Sequence, residues 1–127
     1  MYSTQGTGAW TNAGNGTFTS GTMMGNAVLE NQMIVGEGAG TTRHTLNGTS
    51  FTDTTAAPIA GHFVEHQNRI YATGTASSIF YSTTGTLTDW TSDSSSITIP
   101  GAGRLNGLMK VADRLVTSKN SGLKAVS

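Results

Sequence analysis

The sequence predicts an all-β fold of about three propeller-like blades, each of four short antiparallel strands, that complete a ring by oligomerisation. Three observations carry this expectation. Tyr2-Ser3-Thr4-Gln5-Gly6-Thr7-Gly8-Ala9-Trp10-Thr11 and Tyr81-Ser82-Thr83-Thr84-Gly85-Thr86-Leu87-Thr88-Asp89-Trp90-Thr91 are near copies of each other. A weaker copy, His44-Thr45-Leu46-Asn47-Gly48-Thr49-Ser50-Phe51-Thr52, puts the turn glycine at 6, 48 and 85, so the repeats lie 42 and 37 residues apart. A period near forty with strand-like composition is that of propeller blades. Out of phase with it runs a hairpin motif at Val28-Leu29-Glu30-Asn31-Gln32-Met33-Ile34-Val35-Gly36, Val64-Glu65-His66-Gln67-Asn68-Arg69-Ile70-Tyr71-Ala72 and Met109-Lys110-Val111-Ala112-Asp113-Arg114-Leu115-Val116-Thr117. No window competes as a helix, because Gly, Thr and Ser interrupt every stretch that could carry a 3.6-residue period.

The elements follow in order from these motifs. A strand is expected near 17–20, then a hairpin over 26–31 and 33–37 that reverses at Asn31-Gln32, with apolar residues on both sides. Strands at 42–46 and 50–54 flank the Gly48 turn. A second hairpin covers 62–67 and 69–73 with its reversal at Gln67-Asn68, and Ile70 aligns with Ile34 and Leu115. Strands at 78–83 and 95–99 flank the Gly85 repeat. The third hairpin covers 107–112 and 114–118, reversing at Ala112-Asp113, and 122–126 forms the last strand. The whole chain, 1–127, reads as a single repeat domain with approximate blades 1–45, 46–83 and 84–127. Leu123-Lys124-Ala125-Val126-Ser127 aligns with Ile79-Phe80-Tyr81, as does the strand holding Tyr2, so the terminal blade is split between the two ends. Single-chain propellers have four to eight blades as a rule, and three would leave open faces and exposed edges. A homo-oligomer is therefore expected, most simply a head-to-tail dimer with six blades.

Composition restricts the partners. Only 11% of residues are charged, less than half of the usual share of about 25%, and Thr, Ser, Gly and Asn dominate. Net charge is zero and the 7 basic residues are scattered, so neither nucleic acid nor an anionic membrane is expected as a partner. No apolar run approaches the roughly 18 residues that span a bilayer, and Met1-Tyr2-Ser3-Thr4-Gln5 does not read as a signal peptide. With no cysteine, disulfide and thiolate chemistry are absent. Asn15-Gly16-Thr17 and Asn47-Gly48-Thr49 fit the glycosylation pattern but read as turns in so Thr-rich a chain.

Candidate chemistry is sparse. His62-Phe63-Val64-Glu65-His66 matches H-x-x-E-H, a zinc pattern that requires a helix. On a strand its imidazoles stand about 13 Å apart, too far to share one metal. Gly36-Glu37-Gly38-Ala39-Gly40 lacks the Lys-Ser/Thr and the helix of a phosphate loop. No Gly-x-Ser-x-Gly elbow occurs, and the scattered carboxylates and arginines do not assemble a glycosidase or sialidase site. The expectation is a protein that is not an enzyme, with no catalytic residues, no metal and no cofactor. The matched aromatics Trp10, Phe51 and Trp90, 41 and 39 residues apart, are the candidate ligand-stacking or blade-packing residues. Packing is favoured, since large aromatics bury on the order of 200 Å² each.

The segments Tyr81-Ser82-Thr83-Thr84-Gly85, Asp89-Trp90-Thr91 and Arg69-Ile70-Tyr71-Ala72-Thr73-Gly74 resemble the blades of β-propeller domains in tailed-phage structural proteins and related adhesins. They are also similar to degenerate Asp-box (BNR-like) repeats. Thr45, Asn47, Gly48 and Phe51 keep most of that box, whereas Gln5 and Thr84 stand where the other copies would carry its acid or amide. The resemblance implies a structural protein of a virion, in tail, neck or fibre, assembled in the host cytoplasm with other virion proteins as partners. The alternative, which rests on the repeats and their matched aromatics, is a multivalent, lectin-like module with glycans as partners.

Overall fold

The computed structural model describes residues 2–4, 10–12, 24–74, 77–101, 103–120 and 122–126. Among them there is no helix, and every sheet is antiparallel. β1 (Tyr2–Thr4) and β2 (Trp10–Asn12) form a two-stranded ribbon. The first four-stranded sheet runs β3 (Gly25–Leu29), β4 (Gln32–Gly36), β5 (Arg43–Thr45) and β6 (Thr52–Asp53). The middle sheet, also four-stranded, runs β7 (Ala60–His66), β8 (Arg69–Gly74), β9 (Ser78–Tyr81) and β10 (Ser95–Thr98). The last sheet has three strands, β11 (Gly107–Val111), β12 (Arg114–Lys119) and β13 (Gly122–Val126). In all three, spatial order equals chain order. The strand expected at 17–20 lies outside the described residues, and β2 was not foreseen.

Two-residue turns set the register of each leading hairpin. Leu29 pairs with Gln32 around Glu30-Asn31, His66 with Arg69 around Gln67-Asn68, and Val111 with Arg114 around Ala112-Asp113. Glu30, Asn31, Gln67 and Asn68 all have φ between 51° and 61°, the geometry of type I′ turns, whose twist matches that of the flanking strands. The first turn is thus one residue earlier than the expected Asn31-Gln32. In a strand that single step changes the face on which a side chain lies. Counted from the turns, Ile70 corresponds to Leu115 and Met33, while Ile34 corresponds to Tyr71 and Val116.

The sheets pack face to face in chain order. Ala27, Leu29 and Ile34 of the first sheet meet Phe63, Ile70 and Ala72 of the middle one, with Leu87 and Trp90 filling in from the loop after β9. The opposite face of the middle sheet brings Tyr71, Ile79 and Ile99 against Leu115, with Val64, Leu108 and Val126 at the margin. Ile34, Ile70, Ile79, Leu105 and Leu115 are almost wholly buried, each contributing about 1.5–3 kcal/mol. Polar groups reinforce both junctions. The Gly38 N–H donates to the Ala60 carbonyl at 3.0 Å, and the buried Lys119 ammonium donates to the Ile99 and Gly101 carbonyls at 2.8 and 2.7 Å. In the first sheet, Arg43 Nε donates to Asp53 Oδ1 at 3.0 Å across the β5–β6 pair.

Glycine makes the closest approach possible. Gly25 pairs with Gly36; a Cβ on Gly25 would lie 2.1 Å from the Gly61 carbonyl oxygen, and one on Gly36 2.3 Å from that of Ala60. Gly107 holds the position of Gly25 in the last sheet, yet the nearest atom to a Cβ there is Ser118 Oγ at 3.3 Å. Gly25→Ala should therefore cost about 1–3 kcal/mol through overpacking, and Gly107→Ala clearly less. Urea unfolding of the two variants checks the difference.

Candidate functional site

The matched turn glycines build similar loops from different partners. Gly48 and Gly85 have φ of 74° and 78°, in the left-handed region that favours glycine. In the short loop after β5, Asn47 Oδ1 accepts the N–H groups of Thr49 and Ser50 at 2.9 and 3.3 Å, and Thr45 Oγ1 accepts that of Gly48 at 2.9 Å. These side-chain bonds reproduce a backbone turn. The longer loop after β9 hands that task to Asp89 rather than Thr84. Asp89 Oδ1 accepts the Thr91 N–H at 2.9 Å, the Thr91 hydroxyl at 3.1 Å and the Ser92 N–H at 3.1 Å.

Arg69 fastens this longer loop to the middle sheet. Its guanidinium donates to the carbonyls of Ser82 and Asp93 at 3.1 and 2.6 Å and to Asp93 Oδ2 at 2.7 Å, and it lies over the Tyr81 ring, 5.1 Å from the centroid. Tyr81 packs against Tyr71 with centroids 5.6 Å apart, and Tyr71 against His66 at 5.9 Å. Burial pushes the Tyr71 hydroxyl above its ordinary pKa, against the pull of the Arg69 charge. Both ring nitrogens of His66 are buried without a hydrogen-bond partner, as is the Thr73 hydroxyl.

Of the three aromatics singled out in the sequence, Trp90 is buried between the first and middle sheets, and its Nε1 donates to the Leu87 carbonyl at 2.9 Å. Phe51 is buried against Val35 and Met33 on the far face of the first sheet. Trp10 belongs to β2, and its side chain lies outside the described residues. The structure does not bring Phe51 and Trp90 into one site. What it does assemble, unanticipated, is a cavity of about 390 Å³ in which an edge of Trp90 meets Phe80, Tyr81, Pro58 and the hydroxyl-bearing Ser94, Ser95 and Ser96. A second cavity, of about 380 Å³, gathers Glu37, His62, Arg104 and Asn106 near the start of β7.

His62 and His66 both lie on β7, His62 exposed and His66 buried, and among the described residues no group of three or more His, Asp or Glu is placed to hold a metal ion. Comparison with known proteins finds no matching family model, no matching curated protein and no matching solved structure. The role of Asp89 could have been read from Asp-x-Thr, which is turn-forming chemistry. That of Arg69 could not, since its partner Asp93 is 24 residues away.

Two tests follow. His66→Phe keeps a ring against Tyr71 and removes two unpaired buried nitrogens, so it should stabilise by about 1–3 kcal/mol, read from denaturant midpoints. The Thr91 N–H first, then the Ser92 hydroxyl, holds the Asp89 carboxyl down to about 2. A depressed carboxylate pKa contributes stability above the ordinary value of about 4 and loses it as pH falls towards the folded value. Asp89→Asn, which retains the Oδ1 acceptor, should flatten the fall of the melting temperature between those two pH values.

Proposed function

We propose that the chain is a non-enzymatic structural module of a virion, a rigid propeller-like platform associated with the tail, neck or fibre. The observation that supports a structural role is the stacking itself. The middle antiparallel meander uses both faces to hold its neighbours, and polar clamps such as Lys119 on the Ile99 and Gly101 carbonyls lock one sheet to the next. Each sheet is then a blade, and two chains supply six. The hydroxyl-rich surface, with 11% charged residues, suits close contact with other virion proteins and lacks the basic patch that nucleic acid or anionic lipid would require. The virion setting rests on the resemblance of the repeats. No cofactor enters this role. Mass spectrometry of purified particles from the host that carries the gene should find the chain at fixed stoichiometry, and its absence would remove the reading.

One observation favours a second reading, a module that binds neutral glycans. The cavity beside Trp90 combines aromatic rings with the three serines 94, 95 and 96, a pairing of apolar face and hydroxyl partners that fits a sugar ring. Repeated weak sites would give avidity. On a glycan array, saturable binding that is lost in Ser95→Ala, with the fold intact, would support it. Trp90→Ala cannot serve there, because removing a buried indole should itself cost about 3–5 kcal/mol.

A further inference from the structure

We infer that the outer face of the last sheet is a docking surface for a second copy of this chain, whose first sheet seats on it head to tail. The inference rests on the stacked-repeat reading above and names its partner. Counted from the first residue of each hairpin turn, Ala27, Val64 and Met109 share one position, Leu29, His66 and Val111 a second, and Ile34, Tyr71 and Val116 a third. In the first and middle sheets these residues lie on the face directed towards the next sheet, and in the last sheet they lie on its outer face. In the first sheet these residues are buried beneath the middle sheet, and in the middle sheet His66 and Tyr71 are buried on the side that meets the last sheet. In the last sheet two of these positions are open, Met109 being 56% exposed and Val111 53%, as is Leu123 on the adjoining β13 at 74%, while Val116 is half-buried.

The backbone carries the same signature. Gly107 pairs with Ser118 at the place where Gly25 pairs with Gly36, small residues where the internal junction brings a neighbouring sheet's carbonyl into contact. A cavity of about 320 Å³ lies at that end of the sheet, lined by Met109, Val116 and Leu123 of this face and by Leu108, Thr117 and the middle sheet's His62 on the other side. An apolar, concave patch of this kind on a protein surface marks a binding face.

The internal junctions also specify what fits it. The buried interface between successive sheets always joins this face to the opposite one, on which Ile70 and Leu115 lie. In the first sheet the chain itself already buries Val35 and Phe51 on that opposite face, and the open part is the β3 edge, where Val28 is 58% exposed beside the half-buried Met33. The open parts of the two surfaces are therefore unlike, with Met109, Val111 and Leu123 on one and Val28 on the other. A second copy seated along that edge would extend the face-to-face packing of the sheets. Contact between unlike faces is heterologous, and it closes into a ring where the rotation between sheets allows.

The chain has no cysteine, so Val28→Cys and Met109→Cys each introduce a single thiol. Treated with a short bismaleimide, the mixture of the two variants should give a cross-linked dimer, while Met109→Cys alone should give none. Self-linking of Met109→Cys would overturn the head-to-tail arrangement. A monodisperse wild-type monomer in light scattering at micromolar concentration would overturn docking altogether. Met109→Asp and, independently, Leu123→Ser lie on the exposed strand face and should leave the circular dichroism spectrum unchanged. Each should weaken association by about tenfold or more, and unchanged association in both would sink the proposal. A chain that associates in this way yet is missing from particles would remove the virion reading and leave the docking surface standing.

Discussion

Strand parity, fixed by three two-residue hairpin turns, is the constraint on which the rest of this structure depends. Glu30-Asn31, Gln67-Asn68 and Ala112-Asp113 each bring their flanking strands into register with no residue to spare. Every side chain is thereby assigned to one of two faces. Because all three turns have the same length, the three sheets assign their faces alike. The repeat is therefore one of packing surfaces as well as of motifs.

Given that parity, the middle sheet is determined on both sides. Ile70 and Ala72 turn to the first sheet, while Tyr71 and Ile79 turn to the last. A strand buried on both faces reads as a continuous apolar run rather than an alternating one, and β8 shows this, with the four consecutive residues Ile70, Tyr71, Ala72 and Thr73 all buried. β11 and β13 lack it, since each has a face in solvent. Glycines and polar clamps refine the junctions. Gly25 and Gly36 let a neighbouring backbone approach, and Lys119 and Arg69 reach across to carbonyls of the connecting loops. One position conflicts with this economy: His66 sits where the first sheet has Leu29 and the last has Val111, and its ring is buried without partners. The cost of an unpaired buried polar group is borne there with no compensating bond among the described residues.

The cavities are by-products of the same stacking. The one beside Trp90 forms where the long β9–β10 loop folds back against Pro58 and Phe80, and its shape is set by the Asp89 turn and the Arg69–Asp93 contact. A recess of about 390 Å³ and a buried packing contact between two sheets are thus two consequences of one loop. Trp90 serves the second through its place in the core.

The sequence by itself determined the all-β class, the three hairpins and the two left-handed turn glycines, because alternation, turn chemistry and glycine's backbone freedom act within a few residues. Each expected strand from 26 onward has an observed counterpart, with ends displaced by at most two residues. What it misjudged at Asn31-Gln32 is also local in origin: Glu30, Asn31 and Gln32 are all polar, and nothing in their composition says which pair takes positive φ. Only the tertiary structure decided that Trp90 and Phe51 occupy separate environments, that Arg69 finds Asp93, and that His66 is buried unpaired. Those outcomes turn on which sheet face meets which, and the partners that meet there are far apart in the chain, beyond the reach of any periodicity along it.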